Sequence, residues 1–210
     1  MAMSQGAREK RFVSAVVLAA GSSTRFAGEA PKQLTVFDGA SMVRRITQAA
    51  LASKASEVIV VTGFQQARVA AEVKGLAAHC VYNRRFQQGL STSVKTGLWA
   101  VSDHSSAVLF IPCDQPRLDT ATLDLLVDAY RRGPGSILVP AHRGRRGAPV
   151  LFDRKFFAEL AAITGDEGGR QVLLRHPGEM VEVELPDEAP LHDFDTVEEL
   201  EALVGTGSAP

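Results

Sequence analysis

The sequence predicts an α/β domain in which a mostly parallel sheet is covered by helices on both faces. Short apolar runs alternate with longer stretches of helical periodicity along most of the 210 residues, as in a parallel sheet with crossover helices. The runs VIVV at 58–61 and AVLFI at 107–111 are apolar without alternation, which is typical of strands with both faces covered. The length suits one such domain rather than two.

Seven strands are predicted from runs of apolar and β-branched residues bounded by turn residues. They lie at 13–20, 57–62, 79–82, 107–111, 136–139, 149–152 and 180–183. Helices are predicted where apolar residues recur every three or four positions, at 41–53, 65–73, 91–101, 120–131, 154–163, 169–175 and 196–204. The alternation is regular to about residue 140, after which the basic loop HRGRRG and the polar turn TGDEGGR interrupt it.

Composition and charge exclude several classes of protein. The formal net charge of −1 gives no support for general nucleic-acid binding, and no apolar run approaches the roughly 18 residues that span a bilayer. Residues 1–10 lack the apolar core of a signal peptide, so we expect a cytoplasmic protein with flexible ends at 1–10 and 205–210. Cys80 and Cys113 lack metal-binding spacing, and both are expected to be buried, reduced thiols.

The loop after the first strand combines small residues with two positive charges. GSSTR at 21–25 follows the strand, and Lys32 comes seven residues after Arg25. The loop fits neither GxxxxGK[ST] nor GxGxxG, because the glycine that each motif requires after Gly21 is missing. The backbone N–H groups of such a turn, together with Arg25 and Lys32, can still hold a phosphate. A plain connection with solvated charges is the alternative interpretation.

The carboxyl ends of parallel strands meet at one edge of a sheet, and ligands of such folds bind there. That rule selects Gly21, Gly63, Asn83, Asp114 and Asp195 as candidates. Asp114 follows a very apolar strand in FIPCDQPRLD, and a lone carboxylate there suits Mg²⁺. Asp195, in LHDFDTVEEL, is the candidate for a second metal carboxylate. A turn before the next helix is the alternative at both aspartates.

Two further segments carry candidate binding residues. The turn from Gly89 to Ser93 opens a helix, and its N–H groups and the Ser93 hydroxyl suit a base or ribose. Ordinary N-capping by Ser91 or Ser93 is the alternative. In HRGRRGAPVLF, Arg143, Arg145 and Arg146 can clamp an anionic second substrate, and a solvated basic loop is the alternative there.

Taken in order, these segments resemble the molybdenum cofactor cytidylyltransferases of the MobA-like nucleotidyltransferase family. The resemblance is carried by LAAGSSTRF with PKQL, then by GLSTSVKTGL, CDQP, RGAPVLF, GDEGGR and DFDTVEEL, and it covers about residues 13–203. CDQP, the serine-bearing turn and GDEGGR are more similar to the cytidylyl branch than to the guanylyl one. The resemblance implies a three-layer Rossmann-like nucleotidyltransferase fold, as a single domain over 11–204.

The resemblance also implies a reaction and a set of residues. Such enzymes use Mg²⁺ to transfer a nucleoside monophosphate, here CMP from CTP, to the terminal phosphate of molybdopterin, and they release pyrophosphate. A molybdoenzyme or its chaperone is then a candidate partner. The residues implied for the nucleotide are Leu18, Ala19, Ala20, Gly21, Ser22, Ser23, Arg25, Lys32, Gly63, Asn83, Gly89, Ser93 and Asp114. Catalysis would rest on Arg25, Lys32 and Asp114, the metal on Asp114 and Asp195, and the second substrate on Gln115, Arg145 and Arg146.

Three other functions stay open at this stage. The Arg25–Lys32 spacing is similar to that of the isoprenoid cytidylyltransferases, which favours a sugar phosphate or methylerythritol phosphate as acceptor. Ala148 stands where the family often has His or Asn, at a position expected to contact the second substrate. A nicotinamide-dependent oxidoreductase is disfavoured by the missing GxGxxG. A nucleotide sensor would keep the loop but release no pyrophosphate.

Overall fold

A computed structural model describes residues 11–22, 31–133, 136–194 and 199. Its strands are β1 (Val13–Ala19), β2 (Val36–Phe37), β3 (Ala40–Ser41), β4 (Glu57–Thr62), β5 (His79–Tyr82), β6 (Ala107–Pro112), β7 (Ile137–His142), β8 (Arg145–Arg146), β9 (Val150–Asp153) and β10 (Met180–Glu184). Its helices are α1 (Met42–Ala52), α2 (Gln66–Glu72), α3 (Leu90–Ala100), α4 (Thr120–Arg132), α5 (Phe157–Ala162) and α6 (Arg170–Arg175).

Eight strands form one mixed sheet in the order β10-β7-β9-β6-β1-β4-β5, with β8 paired to β7. The pairs β1–β4, β1–β6, β4–β5 and β7–β10 are parallel. The strand β9 runs antiparallel to both β6 and β7. The prediction of a mostly parallel mixed sheet is therefore confirmed. Since β9 is reversed, its amino end lies at the same edge as the carboxyl ends of the parallel strands.

Helices cover both faces of the sheet, because alternate residues of the central strands are buried on opposite sides. On one face, Val13, Ala15 and Val17 of β1 belong to a core that includes apolar residues of α1, α2 and α4. On the other face, Val16 of β1 packs in a second core with residues of α3, α5 and α6. The two cores make the three-layer architecture that the sequence predicts.

All seven predicted strands are present, with ends that differ by a few residues. The short β2–β3 hairpin and β8 were not predicted, and the helix expected at 154–163 begins as a 3₁₀ turn at Arg154–Phe156. Of the helix expected at 196–204, only Glu199 is described, and it is helical. The flexible ends expected at 1–10 and 205–210 lie outside the described residues.

The two cysteines are free, but only Cys113 is buried, so the prediction of two buried thiols is wrong for Cys80. Cys80 lies on β5, which is an edge strand, and there the side chain is exposed. Among the described helices, none has both the length and the apolar character needed to cross a membrane.

Candidate active site

The ends of β1, β4, β5 and β6 bring four predicted site residues to one edge of the sheet: Gly21, Gly63, Asn83 and Asp114. The chain is tightly packed there. The N–H of Phe64 donates to the Ala20 carbonyl at 3.1 Å, and a Cβ on Gly63 would lie only 2.5 Å from that same oxygen. Gly63 therefore allows the end of β4 to approach the start of the Gly21 loop.

A 3₁₀ turn at Lys32–Leu34 places a buried cation beside this loop. The Gln33 side chain donates from Nε2 to the Gly21 carbonyl at 2.9 Å, which ties the turn to the loop. The Lys32 side chain is only 10% exposed, and its Nζ lies 3.6 Å from Oδ2 of Asp114. The same Nζ lies 4.6 Å from the ring centre of Phe194. The turn thus holds a positive charge between the ends of β1 and β6.

Asp114 is held through its backbone by Phe194 and through its side chain by Lys32. Its carbonyl accepts from the N–H of Phe194 at 3.1 Å, and its side chain is 36% exposed. The preceding Cys113 is buried, and burial together with the nearby Asp114 charge raises the pKa of its thiol. Cys113 is therefore a neutral packing residue here, since only a thiolate acts as a nucleophile.

The donors around Asp114 fit a magnesium ion that keeps most of its shell for water and phosphate oxygens. The partly exposed Asp114 carboxylate is the type of oxygen ligand that Mg²⁺ takes from a protein. Gln115 is buried, and its side-chain oxygen accepts no hydrogen bond from the residues that the structure describes. The described residues contain no group of three or more acidic, histidine or cysteine side chains that could hold a metal, so an all-protein cage is absent from that part of the chain. Asp195, Arg25 and Ser23 lie outside the described residues.

Asn83 organises the turn that leads into α3. Its Nδ2 donates to the hydroxyls of Thr92 at 2.8 Å and Ser93 at 3.0 Å, and its Oδ1 accepts from the N–H of Arg85 at 2.9 Å. With Asn83 2% exposed, these bonds occupy the amide. Asn83 thus positions Ser93, which belongs to the segment predicted to contact the nucleotide.

The first turn of α3 is capped by another loop and not by a serine. The N–H of Leu90 donates to Asp166 Oδ1 at 3.2 Å, and the N–H of Ser91 donates to the Gly165 carbonyl at 3.0 Å. No side chain caps this helix from its own N-cap position, so N-capping by Ser91 or Ser93 is wrong. The GDEGGR segment therefore has a structural role that its sequence alone did not reveal.

An apolar cleft of about 600 Å³ lies on the α3 face of the sheet. We call it the acceptor cleft. It is lined by Leu18, Leu90, Val94, Phe110, Pro112, Val139, Arg146, Gly147, Ala148, Val150, Phe152, Gly169, Arg170, Leu173, Leu174, Pro177 and Met180. Pro112 ends β6, two residues before Asp114, so one end of the cleft reaches the site edge. Gly169 allows a close approach, because a Cβ there would lie 2.8 Å from the Phe152 ring.

The acceptor cleft combines residues predicted for different substrates. Leu18, assigned to the nucleotide by resemblance, and Arg146, assigned to the second substrate, both line it. Arg146 also forms an ion pair with Glu182 at 2.6 Å. Arg145 is not among the lining residues, and it pairs with Glu188 at 3.5 Å. Arg170 lines the cleft and was not predicted, although it ends the GDEGGR segment.

A cation and a carboxylate beside Gly21, at the carboxyl edge of a mostly parallel sheet, are groups that can hold a phosphorylated ligand. The chain belongs to the family described as the MobA-like NTP transferase domain, whose model matches residues 15–181. It is therefore a member of a nucleotidyltransferase family, and a nucleoside triphosphate is the substrate that membership implies.

Two curated relatives differ in what they cover. The chain is 29% identical over 200 residues to nicotine blue oxidoreductase of Paenarthrobacter nicotinovorans, a match that covers 91% of this chain and 96% of that protein. It is 30% identical over 174 residues to the bifunctional protein GlmU of Rhodococcus opacus. That match covers 80% of this chain but only 32% of the longer protein.

Solved structures share the fold along nearly the whole chain. Rv0371c of Mycobacterium tuberculosis H37Rv superposes with a TM-score of 0.80 at 26% identity, over 93% of this chain and 98% of that one. A manganese complex of that protein aligns with a TM-score of 0.75 at 25% identity, over 93% and 99%. A nucleotidyl transferase of Methanothermobacter reaches a TM-score of 0.80 over 93% and 97%, but its 21% identity shows the fold alone.

Proposed function

We propose that the protein transfers CMP from CTP to the terminal phosphate of molybdopterin and releases pyrophosphate. Membership of the nucleotidyltransferase family supports the reaction class. The segments CDQP and GDEGGR support the cytidylyl branch. The observation that carries the proposal is the buried Lys32 ammonium, 3.6 Å from the Asp114 carboxylate and beside the Gly21 loop.

The reaction needs positioning and charge more than an activated side chain. An oxygen of the acceptor phosphate forms a bond to the α-phosphorus of CTP, and the bond from that phosphorus to the β-phosphate oxygen breaks. Pyrophosphate leaves with the electron pair of the broken bond. The acceptor oxygen is already ionised, so no general base is required. Lys32 and, by prediction, Arg25 would hold the triphosphate and offset the charge that moves onto the leaving oxygen.

A divalent metal is part of the proposal. Asp114 would hold Mg²⁺, with Asp195 as the second predicted carboxylate, and the ion would neutralise phosphate charge. A protein of the same fold from M. tuberculosis forms a complex with manganese, and this supports a divalent ion as part of the proposal. Lys32 has a separate role, because a lysine so close to a carboxylate also keeps the Asp114 side chain in place when no nucleotide is bound.

The acceptor would bind in the acceptor cleft. Its lining includes apolar side chains such as Phe110, Val139 and Phe152. Arg170 supplies positive charge, and Arg146 would do so only by exchanging its partner Glu182 for the anion. A flat ring system with one anionic group matches that lining. A sugar or methylerythritol phosphate has no flat ring to pack on these apolar side chains. The lining of the cleft therefore favours molybdopterin as acceptor. The Arg25–Lys32 spacing favours the polyol phosphates instead.

A pyrophosphate-release assay tests the proposal by crossing CTP, GTP, UTP and ATP against molybdopterin and simple sugar phosphates. Release with CTP and molybdopterin is expected. Release only with a sugar phosphate would establish the alternative acceptor, and no release with any pair would refute nucleotidyl transfer.

Asp114→Ala tests the metal site within the same assay. It should lower turnover by about 10²-fold or more, as expected when a preorganised charge stabiliser is lost. Asp103→Ala is the matched control, because Asp103 is an exposed carboxylate in the loop before β6, at the opposite edge of the sheet. Turnover in Asp114→Ala equal to that of Asp103→Ala, with Mg²⁺ present, would rule out the metal role.

An oxidoreductase is the second candidate, because the relative of nearly equal length is a nicotine blue oxidoreductase. The apolar side chains of the acceptor cleft also suit a flat ring that accepts a hydride. Equilibrium binding of NADH and NADPH separates the two candidates. Micromolar binding of either, with no pyrophosphate release in the crossed assay, would favour the oxidoreductase.

A further inference from the structure

A second cleft, of about 530 Å³, lies against the outer side of α3. We call it the α3 cleft. Its lining comes from the end of β5 and the loop after it, from one side of α3, and from the start of the TGDEGGR turn. The residues are Tyr82, Asn83, Arg84, Arg85, Gln88, Ser91, Thr92, Lys95, Thr96, Trp99, Thr164 and Gly165. It shares none of these residues with the acceptor cleft. Of the four residues at the site edge, it includes only Asn83.

The α3 cleft is positively charged. Arg84, Arg85 and Lys95 line it, and none of its lining residues is acidic. No ion pair engages any of these three side chains within the described part of the chain, although other surface cations are paired, as Arg146 is with Glu182. Three unneutralised cations around one concave surface, in a chain whose net charge is −1, favour an anionic ligand.

The α3 cleft also exposes aromatic rings. Trp99 is 73% exposed and Tyr82 is 48% exposed. Both are costly to leave in water, and both line the cleft that holds the three cations. An exposed indole beside arginine and lysine side chains is suited to stacking a flat ring whose phosphate binds the cations. The volume is within the range of small-molecule sites.

We propose that the α3 cleft binds a second anion that carries an aromatic ring, of nucleotide size, separate from the nucleotide at the Gly21 loop. Arg84, Arg85 and Lys95 would bind the phosphate, and Trp99 would stack on the ring. This site does not depend on the proposed transfer reaction, because its binding can be measured without acceptor or turnover.

The α3 cleft is linked to the site edge through Asn83. Thr92 lines the cleft, and its hydroxyl accepts from Asn83 at 2.8 Å. The hydroxyl hydrogen is shared between the Arg85 carbonyl at 3.0 Å and the Gly89 carbonyl at 2.9 Å. The same Asn83 amide donates to Ser93 at 3.0 Å. A ligand that orders the Arg85 loop therefore acts on the residue that positions Ser93, and we expect it to change the affinity for the substrate nucleotide.

Trp99 is the single tryptophan of the chain, so its fluorescence reports directly on the α3 cleft. Titration with AMP should quench Trp99, and ribose 5-phosphate, which has no ring to stack, should bind about tenfold more weakly or worse. Arg85→Ala and Lys95→Ala should each weaken AMP binding by about tenfold. Lys74→Ala, at an exposed lysine outside the cleft, is the matched control and should leave AMP binding unchanged.

The two sites are separated by reciprocal variants. Lys32→Ala should weaken CTP binding, measured by equilibrium dialysis, and leave the quenching by AMP intact. Arg85→Ala should weaken the quenching by AMP and leave CTP binding intact. The proposal is overturned if AMP leaves Trp99 unquenched, if Lys32→Ala abolishes the quenching, or if Arg85→Ala and Lys95→Ala bind AMP like wild type. Single-stranded dT20 binding more than about a hundredfold tighter than AMP would also overturn it, by identifying a nucleic-acid surface.

Discussion

Replacing Gly63 by alanine is expected to damage the fold and the nucleotide site together. The added Cβ would lie 2.5 Å from the Ala20 carbonyl oxygen and 2.8 Å from the Cβ atoms of Ala20 and Phe86. Since unstrained carbon contacts begin near 3.5 Å, the backbone at Gly63 or the backbone at Ala20 must move by roughly an ångström. None of these three atoms is the flexible end of a long side chain, so the strain cannot be relieved by a rotamer change.

The size of the effect follows from what must move. Overpacking of this kind costs about 1–3 kcal/mol of unfolding free energy. Moving Ala20 also disturbs the 3.1 Å hydrogen bond from Phe64 and the adjacent Gly21 loop, whose N–H groups are predicted to bind phosphate. Loss of one charge-assisted hydrogen bond to phosphate is worth about 1.5–3 kcal/mol, so nucleotide affinity should fall by at least about tenfold.

Urea unfolding and equilibrium dialysis with CTP measure the two effects. Gly178→Ala is the matched control, because a Cβ there meets nothing within 4 Å, and it should change neither quantity by much. If Gly63→Ala matched Gly178→Ala in both measurements, the close approach of β4 to the Gly21 loop would not be what shapes the site. If Gly63→Ala lost stability but kept its CTP affinity, only the predicted effect on nucleotide binding would be refuted.

Three further outcomes are expected. Lys32→Ala should weaken binding of CTP more than binding of CMP in equilibrium dialysis, and equal effects would show that Lys32 does not reach the β- or γ-phosphate. Asp119→Ala should lower the unfolding free energy by about 1 kcal/mol in urea, because Asp119 Oδ1 caps α4 by accepting from Thr122 at 2.8 Å; an unchanged midpoint would show that the cap contributes nothing. A thiol reagent such as DTNB should react with one cysteine of the native protein and two in urea, because Cys80 is exposed and burial raises the pKa of Cys113; two fast native thiols would contradict the burial of Cys113.

The sheet and the edge that carries the site could be predicted from local patterns. Continuous apolar runs such as 58–61 identify buried parallel strands, and the rule for carboxyl ends then brings Gly21, Gly63, Asn83 and Asp114 together. The position of Lys32 was harder to predict, because it depends on a 3₁₀ turn. Gln33 fixes this turn by a hydrogen bond to Gly21, twelve residues away. No periodic signal encodes such a contact.

The two clefts could not be predicted, since each is built from elements far apart in sequence. The acceptor cleft combines Leu18 with Arg170, and the α3 cleft combines Arg84 with Gly165. The reversed direction of β9 could not be predicted either, because an apolar run of four residues does not show whether a strand is parallel or antiparallel to its neighbours. Yet it places Ala148 and Arg146 near the active edge rather than at the opposite end of the sheet.

Helix α3 contributes residues to both the acceptor cleft and the α3 cleft, and its packing limits how the two clefts can influence one another. Leu90 and Val94 line the acceptor cleft, and Lys95 and Trp99 line the α3 cleft. Near its carboxyl end, Gly97 lies so close to Val16 of β1 that a Cβ would collide with it. The helix therefore cannot slide along the sheet as a rigid body. Coupling between the sites must pass through its first turn, where hydrogen bonds to Asn83, Gly165 and Asp166 can rearrange at modest cost.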